Sequence, residues 1–266
     1  MTRRRFPVGK TLLYGFMSLW ALTTIYPFIW VILNSFKPRG LIRSDTFSLP
    51  IGDKFTLENY VTAFKRVDIG TAYVNSIVIS GAVTVVVMVL AGLAAYAMVR
   101  YSFRLRGFLH SMIIASMMFP VFSTIIPVFR MESSWGIVNT GSIWLTRLSV
   151  VLPQIAGNLS FAIIVLMGFI RSLPVDLEEA AYLEGYNVYQ IFFRIIMPLA
   201  KPSFATVGIF TFLWSYNDLF LQMFFLRSKK FFTITRLLNE ISSQAGTNYG
   251  LMVAAVVMVV IPVLVV

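Results

Sequence analysis

The stretch LPVDLEEAAYLEG, residues 173–185, is a polar island in a chain that is almost entirely apolar on both sides of it. It holds four of the eleven acidic residues of the chain, namely Asp176, Glu178, Glu179 and Glu184. Ala and Leu are strong helix formers, so the stretch predicts a short acidic helix. A compact acidic helix in such surroundings is where a soluble partner can bind.

The composition places the rest of the chain in lipid. Of its 266 residues, 58% are hydrophobic and 12% are charged, about half the charged fraction of a soluble domain, and the mean hydropathy is +0.81. A membrane-spanning helix needs roughly 20 mostly apolar residues. The sequence therefore predicts an all-α integral membrane protein, one domain over 1–266, with six transmembrane helices at about 11–36, 71–99, 107–129, 145–170, 203–225 and 249–266.

The orientation is predicted from the N-terminus. Six spans place both termini on one side, and Arg3, Arg4, Arg5 and Lys10 favour the cytoplasm for that side. The whole set of basic residues divides into ten on the inner side and twelve on the outer side, so the charge count does not settle the orientation. The first apolar run is too long for a signal-peptide core and lacks a cleavage site, so it counts as helix 1.

Several classes of function lack the residues they need. The chain has no cysteine and a single histidine, His110, which excludes disulfides, thiolate nucleophiles and cysteine-ligated metals. It also has no paired intramembrane carboxylates, so an intramembrane enzyme has no plausible catalytic set. The net charge of +11 is explained by basic residues beside the spans and does not indicate nucleic-acid binding.

The local chemistry of the polar stretch indicates two short helices at the inner membrane surface. Asp176 followed three residues later by Glu179 has the outline of a capping box, and Glu178 falls in the first turn, where the helix dipole favours negative charge. Gly185 is placed to end the first helix. A second apolar segment, 188–196, follows. From these residues alone, an ordinary capped linker helix between two spans explains the stretch equally well.

The spacing of the stretch resembles the EAA loop of ATP-binding-cassette importer permeases, EAA-x3-G-x9-I-x-L-P. The residues that match in register are Glu179, Ala180, Ala181, Gly185, Ile195 and Pro198, while Met197 replaces Leu and Glu184 stands where Asp is commoner. The likeness extends over nearly the whole chain to carbohydrate-uptake permeases related to the maltose permease pair, specifically the six-span partner. Supporting segments are Asn75-Ser76, the AAYA run at 94–97 with Arg100, and Asn217-Asp218.

Two departures from that family limit what carries over. The family usually has Trp directly before the Asn-Asp pair, where this chain has Tyr216, with Trp214 two residues earlier. Its members usually continue into a cytoplasmic tail that contacts the ATPases, whereas this sequence stops at Val266. The resemblance therefore assigns no tail contact here.

The resemblance implies a multi-pass permease subunit in the cytoplasmic membrane, with a cytoplasmic N-terminus and a coupling loop at 171–201 between helices 4 and 5. Its implied partners are a second permease in a heterodimer, two ATPase subunits, an extracytoplasmic solute-binding protein, the carbohydrate substrate and the lipid bilayer. ATP and Mg would be bound by the ATPases, so the chain has no cofactor and is not an enzyme. The alternative is an importer permease for a non-sugar solute such as phosphate or an amino acid, and the matches outside the EAA loop favour carbohydrate.

Two groups of site residues follow from the resemblance. Those implied for ATPase coupling are Glu178, Glu179, Ala180, Ala181, Glu184, Gly185 and Pro198. Glu179 is expected to form an ion pair with a basic ATPase residue, and Gly185 to allow a close backbone approach. Those considered for the pathway or a gate are Pro120, Trp214, Tyr216, Asn217 and Asp218.

The pathway residues also have plainer explanations. Asp218 and Asn217 could form a structural hydrogen-bond cluster, because an acid in a span costs about 2.5–3.5 kcal/mol unless it faces protein. Trp214 and Tyr216 could stack on sugar rings or simply pack the bundle. Pro120 could kink helix 3 for gating or for packing.

Overall fold

The computed structural model describes residues 8–66, 68–245 and 248–265, and the regular elements in these ranges are all helical. They form two compact units, one made of the residues up to Ile69 with Leu238–Val265 and the other of Gly70–Leu237. In chain order the helices are α1 (Val8–Ser35), α2 (Leu41–Ser44), α3 (Glu58–Arg66), α4 (Ile69–Arg100), α5 (Arg106–Ser116), α6 (Val121–Ser134), α7 (Ile143–Ile170), α8 (Asp176–Leu183), α9 (Val188–Ile191), α10 (Met197–Leu199), α11 (Lys201–Asn217), α12 (Leu219–Phe225), α13 (Ile234–Ala245) and α14 (Tyr249–Val265).

Three of the described helices, α1, α4 and α7, are long and apolar enough to cross a membrane. The segments Val188–Leu199 and Lys201–Asn217 would pass the same test together, but they meet at an angle of 82°. α14 is a shorter apolar helix of 17 residues. The first, second and fourth expected spans are therefore continuous helices, whereas the third and fifth are not.

The third and fifth expected spans are each two helices, and the break residues explain why. Pro120 is extended (φ −65°, ψ 121°) immediately before α6, since proline has no N–H to continue the preceding helix. Asp218 leaves the helical region (φ −71°, ψ 82°), and its carboxylate accepts a hydrogen bond from the N–H of Leu221 to begin α12. That 107–129 and 203–225 each cross the membrane as one span stays a prediction, now with a break inside each segment.

In the first unit, α1 packs along α14, and α14 also packs on α3. α1 leaves large apolar side chains exposed along its length, such as Leu12, Trp20 and Ile25. Exposed apolar surface of this extent is typical of a helix that faces lipid or another subunit. Gly250 lets α14 approach α3, because a Cβ there would lie 2.2 Å from the side-chain oxygen of Asn59.

The segment that follows α1 is held by buried polar side chains. The Asn59 amide donates to the carbonyls of Ser35 and Lys37 at 2.9 and 2.8 Å, which satisfies acceptors left open at the end of α1. The fully buried Lys37 ammonium donates to the carbonyls of Asp45 and Thr46 at 3.0 and 2.8 Å. Burial lowers the pKa of Lys37, and the nearby Asp45 carboxylate opposes that shift.

The second unit has α7 and α11 at its centre, where Phe161 of α7 lies against Trp214 of α11 with ring centroids 4.8 Å apart. α4 contributes a buried face with four-residue spacing, made of Asn75, Ile79, Val83, Val87, Ala91 and Ala95. Next to that face the rings of Phe204 and Phe192 lie directly on Gly92, where a Cβ would be 2.8 and 3.0 Å from their tips. Both side chains are buried.

This close approach makes Gly92 sensitive to added volume. We expect Gly92→Val to destabilise the protein by about 1–3 kcal/mol, because overpacking forces buried side chains out of their rotamers. Gly81→Ala on the same helix is the matched control, because a Cβ there has nothing within 4 Å. Thermal unfolding followed by fluorescence in detergent separates the two. Equal midpoints for both variants would contradict the packing described for Gly92.

Candidate functional site

The start of α8 differs from the expected capping box. The residue before the helix is Val175, which is already helical (φ −69°, ψ −29°), and no side chain caps the helix. Because the Glu178 and Glu179 N–H groups both bond to the Val175 carbonyl, Asp176 lies inside the first turn and cannot act as its cap. Its charge still complements the helix dipole, but the predicted capping role of Asp176 is wrong.

A capping box does form, one helix later. The Asn187 side chain accepts from the Gln190 N–H, and the Gln190 side chain accepts from the Asn187 N–H, both at 2.9 Å. It begins α9, which passes at Phe192–Ile196 into a wider π-helical turn. Sequence reasoning missed this box, although Asn followed three residues later by Gln is its usual signature.

Gly185 ends α8 as expected. Its φ is +86°, a backbone conformation that other residues adopt only with strain. The N–H groups of Gly185 and Tyr186 bond to the carbonyls of Tyr182 and Ala181, which is the Schellman arrangement. Among the described residues, apart from its two chain neighbours, no atom lies within 4 Å of a Cβ built on Gly185, so the corner has room for a partner.

Glu178 faces the interior of the unit. Its carboxylate accepts from Nε of Arg100 at 2.5 Å and from the Tyr96 hydroxyl at 2.8 Å, and only 4% of the residue is exposed. Arg100 also donates through Nη2 to the Leu173 carbonyl at 2.9 Å. The C-terminal end of α4 thus holds both the start of the polar stretch and the first turn of α8. Neither Arg100 nor Tyr96 was expected as a partner of Glu178.

The opposite face of α8 is exposed. We call Glu179, Ala180, Leu183, Glu184 and Gly185 the α8 surface, and all five are solvent-exposed. Leu183 is 91% exposed, which is unusual for a leucine at the end of a short helix and was not singled out from the sequence. Of the other expected coupling residues, Ala181 is buried and packs inward, whereas Pro198 is exposed.

The break in the fifth expected span is filled by a group of interacting polar side chains, which we call the polar cluster. The Ser215 hydroxyl donates to Oε1 of Gln154 at 2.6 Å, while Nε2 of Gln154 donates to Asp218 at 3.1 Å. Gln222 donates to the Ser215 carbonyl at 3.0 Å and accepts from Thr233. The Ser215 carbonyl beside the break is therefore satisfied by a protein side chain, as a membrane interior requires.

The expected pathway residues separate into two groups. Trp214, Asn217 and Asp218 line a cavity of about 420 Å³ together with Met117 and residues of α6, α7 and α12. Tyr216 is fully buried and stacks on Phe212 at 5.9 Å, so it lies outside that lining. Pro120 occupies the turn between α5 and α6 and is likewise not part of the lining.

Comparisons with known proteins identify the class of this chain as transport permeases. The model of the family described as "Binding-protein-dependent transport system inner membrane component" matches residues 87–266. The chain is 34% identical over 255 residues to the diacetylchitobiose uptake system permease protein of Streptomyces coelicolor, covering 95% of this chain and 82% of that one. It is 31% identical to the trehalose transport system permease protein of Mycobacterium tuberculosis, with 97% and 89% covered.

A solved structure shares the fold. It is a chain of a bacterial ABC transporter involved in the import of the acidic polysaccharide alginate, with a TM-score of 0.82, 22% identity, and coverage of 100% of this chain and 96% of that one. The chain belongs to the family of binding-protein-dependent transport system inner membrane components. It is a transport subunit rather than an enzyme.

The polar cluster predicts a specific effect of Asp218→Asn. The new amide NH2 group would face Nε2 of Gln154, so that two hydrogen-bond donors oppose each other. Rotating the Gln154 amide by 180° would remove that conflict, but the Ser215 hydroxyl would then lose its acceptor, Oε1 of Gln154. We expect a loss of about 1–2 kcal/mol, the cost of a buried polar group left unpaired, measured as thermal unfolding in detergent. Thr206→Val is the control, because its hydroxyl bonds only within α11, to Pro202. Unchanged stability with abolished transport would assign Asp218 to the pathway instead.

Proposed function

We propose that this permease imports a sugar or oligosaccharide across the cytoplasmic membrane by alternating access, driven by ATPase subunits that bind the α8 surface. The observation that carries the proposal is the α8 surface itself: an exposed acidic and apolar corner, fixed to α4 by buried polar contacts, in a member of this transport family. Several relatives are named as sugar permeases, which favours the same class of substrate here. A non-sugar solute such as phosphate or an amino acid is not favoured.

The α8 surface has the composition of a protein-docking site. A protruding apolar side chain surrounded by polar groups is typical of an anchor that fills a pocket on a partner. Leu183 supplies that anchor, Glu179 an ion pair with a basic ATPase residue, and Gly185 the room for close backbone approach. Glu178 takes no part in this contact, because its carboxylate is used by Arg100 and Tyr96.

Because α8 is attached to α4, closure of the ATPases on binding ATP can move the membrane spans. If the ATPases close around α8, the Glu178 ion pair obliges α4 to follow, since separating a buried pair leaves an uncompensated charge. The permease then contributes different contacts in an outward-open and an inward-open state, and the ATPases select between them. ATP and Mg are bound by those partners and not by this chain.

The proposed topology has six spans, with the N-terminus and the α8 surface both cytoplasmic. α1, α4, α7 and α14 are four of the spans. α5 with α6, and α11 with α12, are the two broken ones, and backbone irregularity at such depth is tolerated where polar side chains satisfy it. The remaining surface would contact lipid, a second permease in a heterodimer and, outside, a solute-binding protein.

The cavity beside the polar cluster suits a neutral, hydroxyl-rich solute. Its walls combine the rings of Phe161 and Trp214 with amide groups of Gln154 and Asn158, and with Asp218. Aromatic faces with a few polar groups that fix orientation are a common lining of small-molecule sites. The Asp218 carboxylate in that wall disfavours an anion such as phosphate.

Uptake into right-side-out membrane vesicles from the native host, with ATP enclosed inside beside its ATPases and the binding protein added outside, tests the transport class. We expect radiolabelled oligosaccharide to cross only with ATP and binding protein both supplied, because the chain has no energy source of its own. Labelled phosphate and amino acids serve as the comparison solutes. Movement of any of these driven by an ion gradient alone would contradict the proposal.

Two substitutions on the α8 surface, one that reverses a charge and one that introduces a charge, test the ATPase contact. We expect Glu179→Lys and Leu183→Asp to abolish copurification of the ATPase while the permease still inserts, because each removes a central contact of the α8 surface. Loss of such a contact typically costs 2 kcal/mol or more, roughly a thirtyfold loss of affinity. Glu58→Lys is the matched control, an exposed acid in the first turn of another surface helix, α3.

Retention of the ATPase by both α8 variants would show that this surface is not the docking site. Loss in the Glu58 control as well would indicate a general effect of charge reversal on insertion.

A further inference from the structure

α4 is bound by polar side chains at both of its ends to segments far away in the sequence. Near its N-terminus, the Asn75 amide donates to the carbonyls of Lys230 and Phe232 at 3.2 and 3.0 Å and accepts from Arg147 of α7 at 2.9 Å. The neighbouring Ser76 hydroxyl accepts from the N–H of Ile234 at 2.8 Å. Both residues are buried. We call these contacts the outer clamp.

Near its C-terminus, α4 makes the second set of contacts, which we call the inner clamp. Arg100 bonds to the Glu178 carboxylate and the Leu173 carbonyl, and the Tyr96 hydroxyl bonds to the same carboxylate. Asn75 and Arg100 are 25 positions apart, which is about 37 Å along an α-helix. That distance exceeds the roughly 30 Å thickness of the hydrocarbon core, so one clamp lies at each membrane face.

The helix between the clamps is continuous and closely packed. α4 runs for 32 residues without a break, whereas α5 and α6, and α11 and α12, are separated by breaks. Between the clamps its buried face is made of Ile79, Val83, Val87, Ala91 and Ala95, each at most 1% exposed. Close-packed interiors transmit displacement and deform little, so a shift at one clamp reaches the other.

We propose that α4 is the element that links solute-binding-protein docking outside to the ATPases inside, with Asn75 and Ser76 as positioning residues for the 230–234 segment and Arg100 and Tyr96 as positioning residues for α8. This inference rests on the proposed function. The segment that leads into the one held by the outer clamp, 227–230, is exposed and cationic, with Arg227, Lys229 and Lys230 at the surface. A partner that binds this segment would therefore displace α4 through the contacts of the outer clamp.

The test uses the importer complex copurified from the native host, reconstituted with its loaded binding protein. Two quantities are measured: the basal ATPase rate, and the factor by which the binding protein raises it. We expect Asn75→Ala and Ser76→Ala to assemble with normal basal rates and to lower the stimulation factor about fivefold or more, the lower end of typical coupling between distant sites. Thr84→Val is the control on α4, because its hydroxyl bonds only to Ser80 of the same helix.

A merely structural outer clamp would behave differently. In that case assembly and basal ATPase activity would fall together with stimulation, and such a result for both Asn75→Ala and Ser76→Ala would overturn the proposal. Wild-type stimulation in both variants would overturn it equally. The inner clamp adds a second measurement: Asn75→Ala combined with Arg100→Lys should lower stimulation no further than the more severe single variant, because both act through one helix.

The experiments distinguish a failure of the proposed transport function from a failure of the proposed role of α4. If wild-type complex shows no ATP-dependent uptake, the proposed function is wrong. If wild-type uptake is normal and the clamp variants keep full stimulation, only the role of α4 is wrong.

Discussion

A polar group inside a bilayer has no water to bond, and this constraint explains the polar contacts at the break between α11 and α12 and at the two ends of α4. Where the chain leaves helical geometry at Asp218, the side chains of Gln154 and Gln222 take up the Ser215 carbonyl that the break exposes. Where Glu178 turns inward, Arg100 and Tyr96 meet it. Asp218, Glu178 and the irregular backbone at the α11–α12 break are tolerated because protein groups form hydrogen bonds with them.

The same hydrogen-bonded partners also determine how the second unit resists deformation. Each buried polar contact joins segments that are distant in sequence, and losing one side of it leaves the other unpaired and costly. Contacts of this kind favour a few discrete arrangements over gradual deformation. α8 is fixed to α4 by such contacts and exposed on its other face, which is what a part that receives force from a soluble partner requires.

Much of the fold follows from composition and periodicity. The runs at 11–36, 71–99 and 145–170 predict α1, α4 and α7, because long apolar stretches are stable in lipid only as helices. Gly185 predicts the end of α8, since its left-handed backbone follows from local chain geometry. The spacing of Glu179, Gly185 and Pro198 indicated the family, and the matches to known permeases confirm it.

What the sequence by itself determined was that the long apolar runs are helical, where the acidic corner lies and which family the chain belongs to, because these depend on residues close together along the chain. The tertiary structure alone decided which way each acid of the corner points. It turned Glu178 toward Arg100, left Glu179 and Leu183 exposed, and placed Trp214 but not Tyr216 beside the cavity. Residues close together on one helix differ in burial because distant segments of the chain pack against some of them and not against others. No local sequence pattern identifies those distant segments.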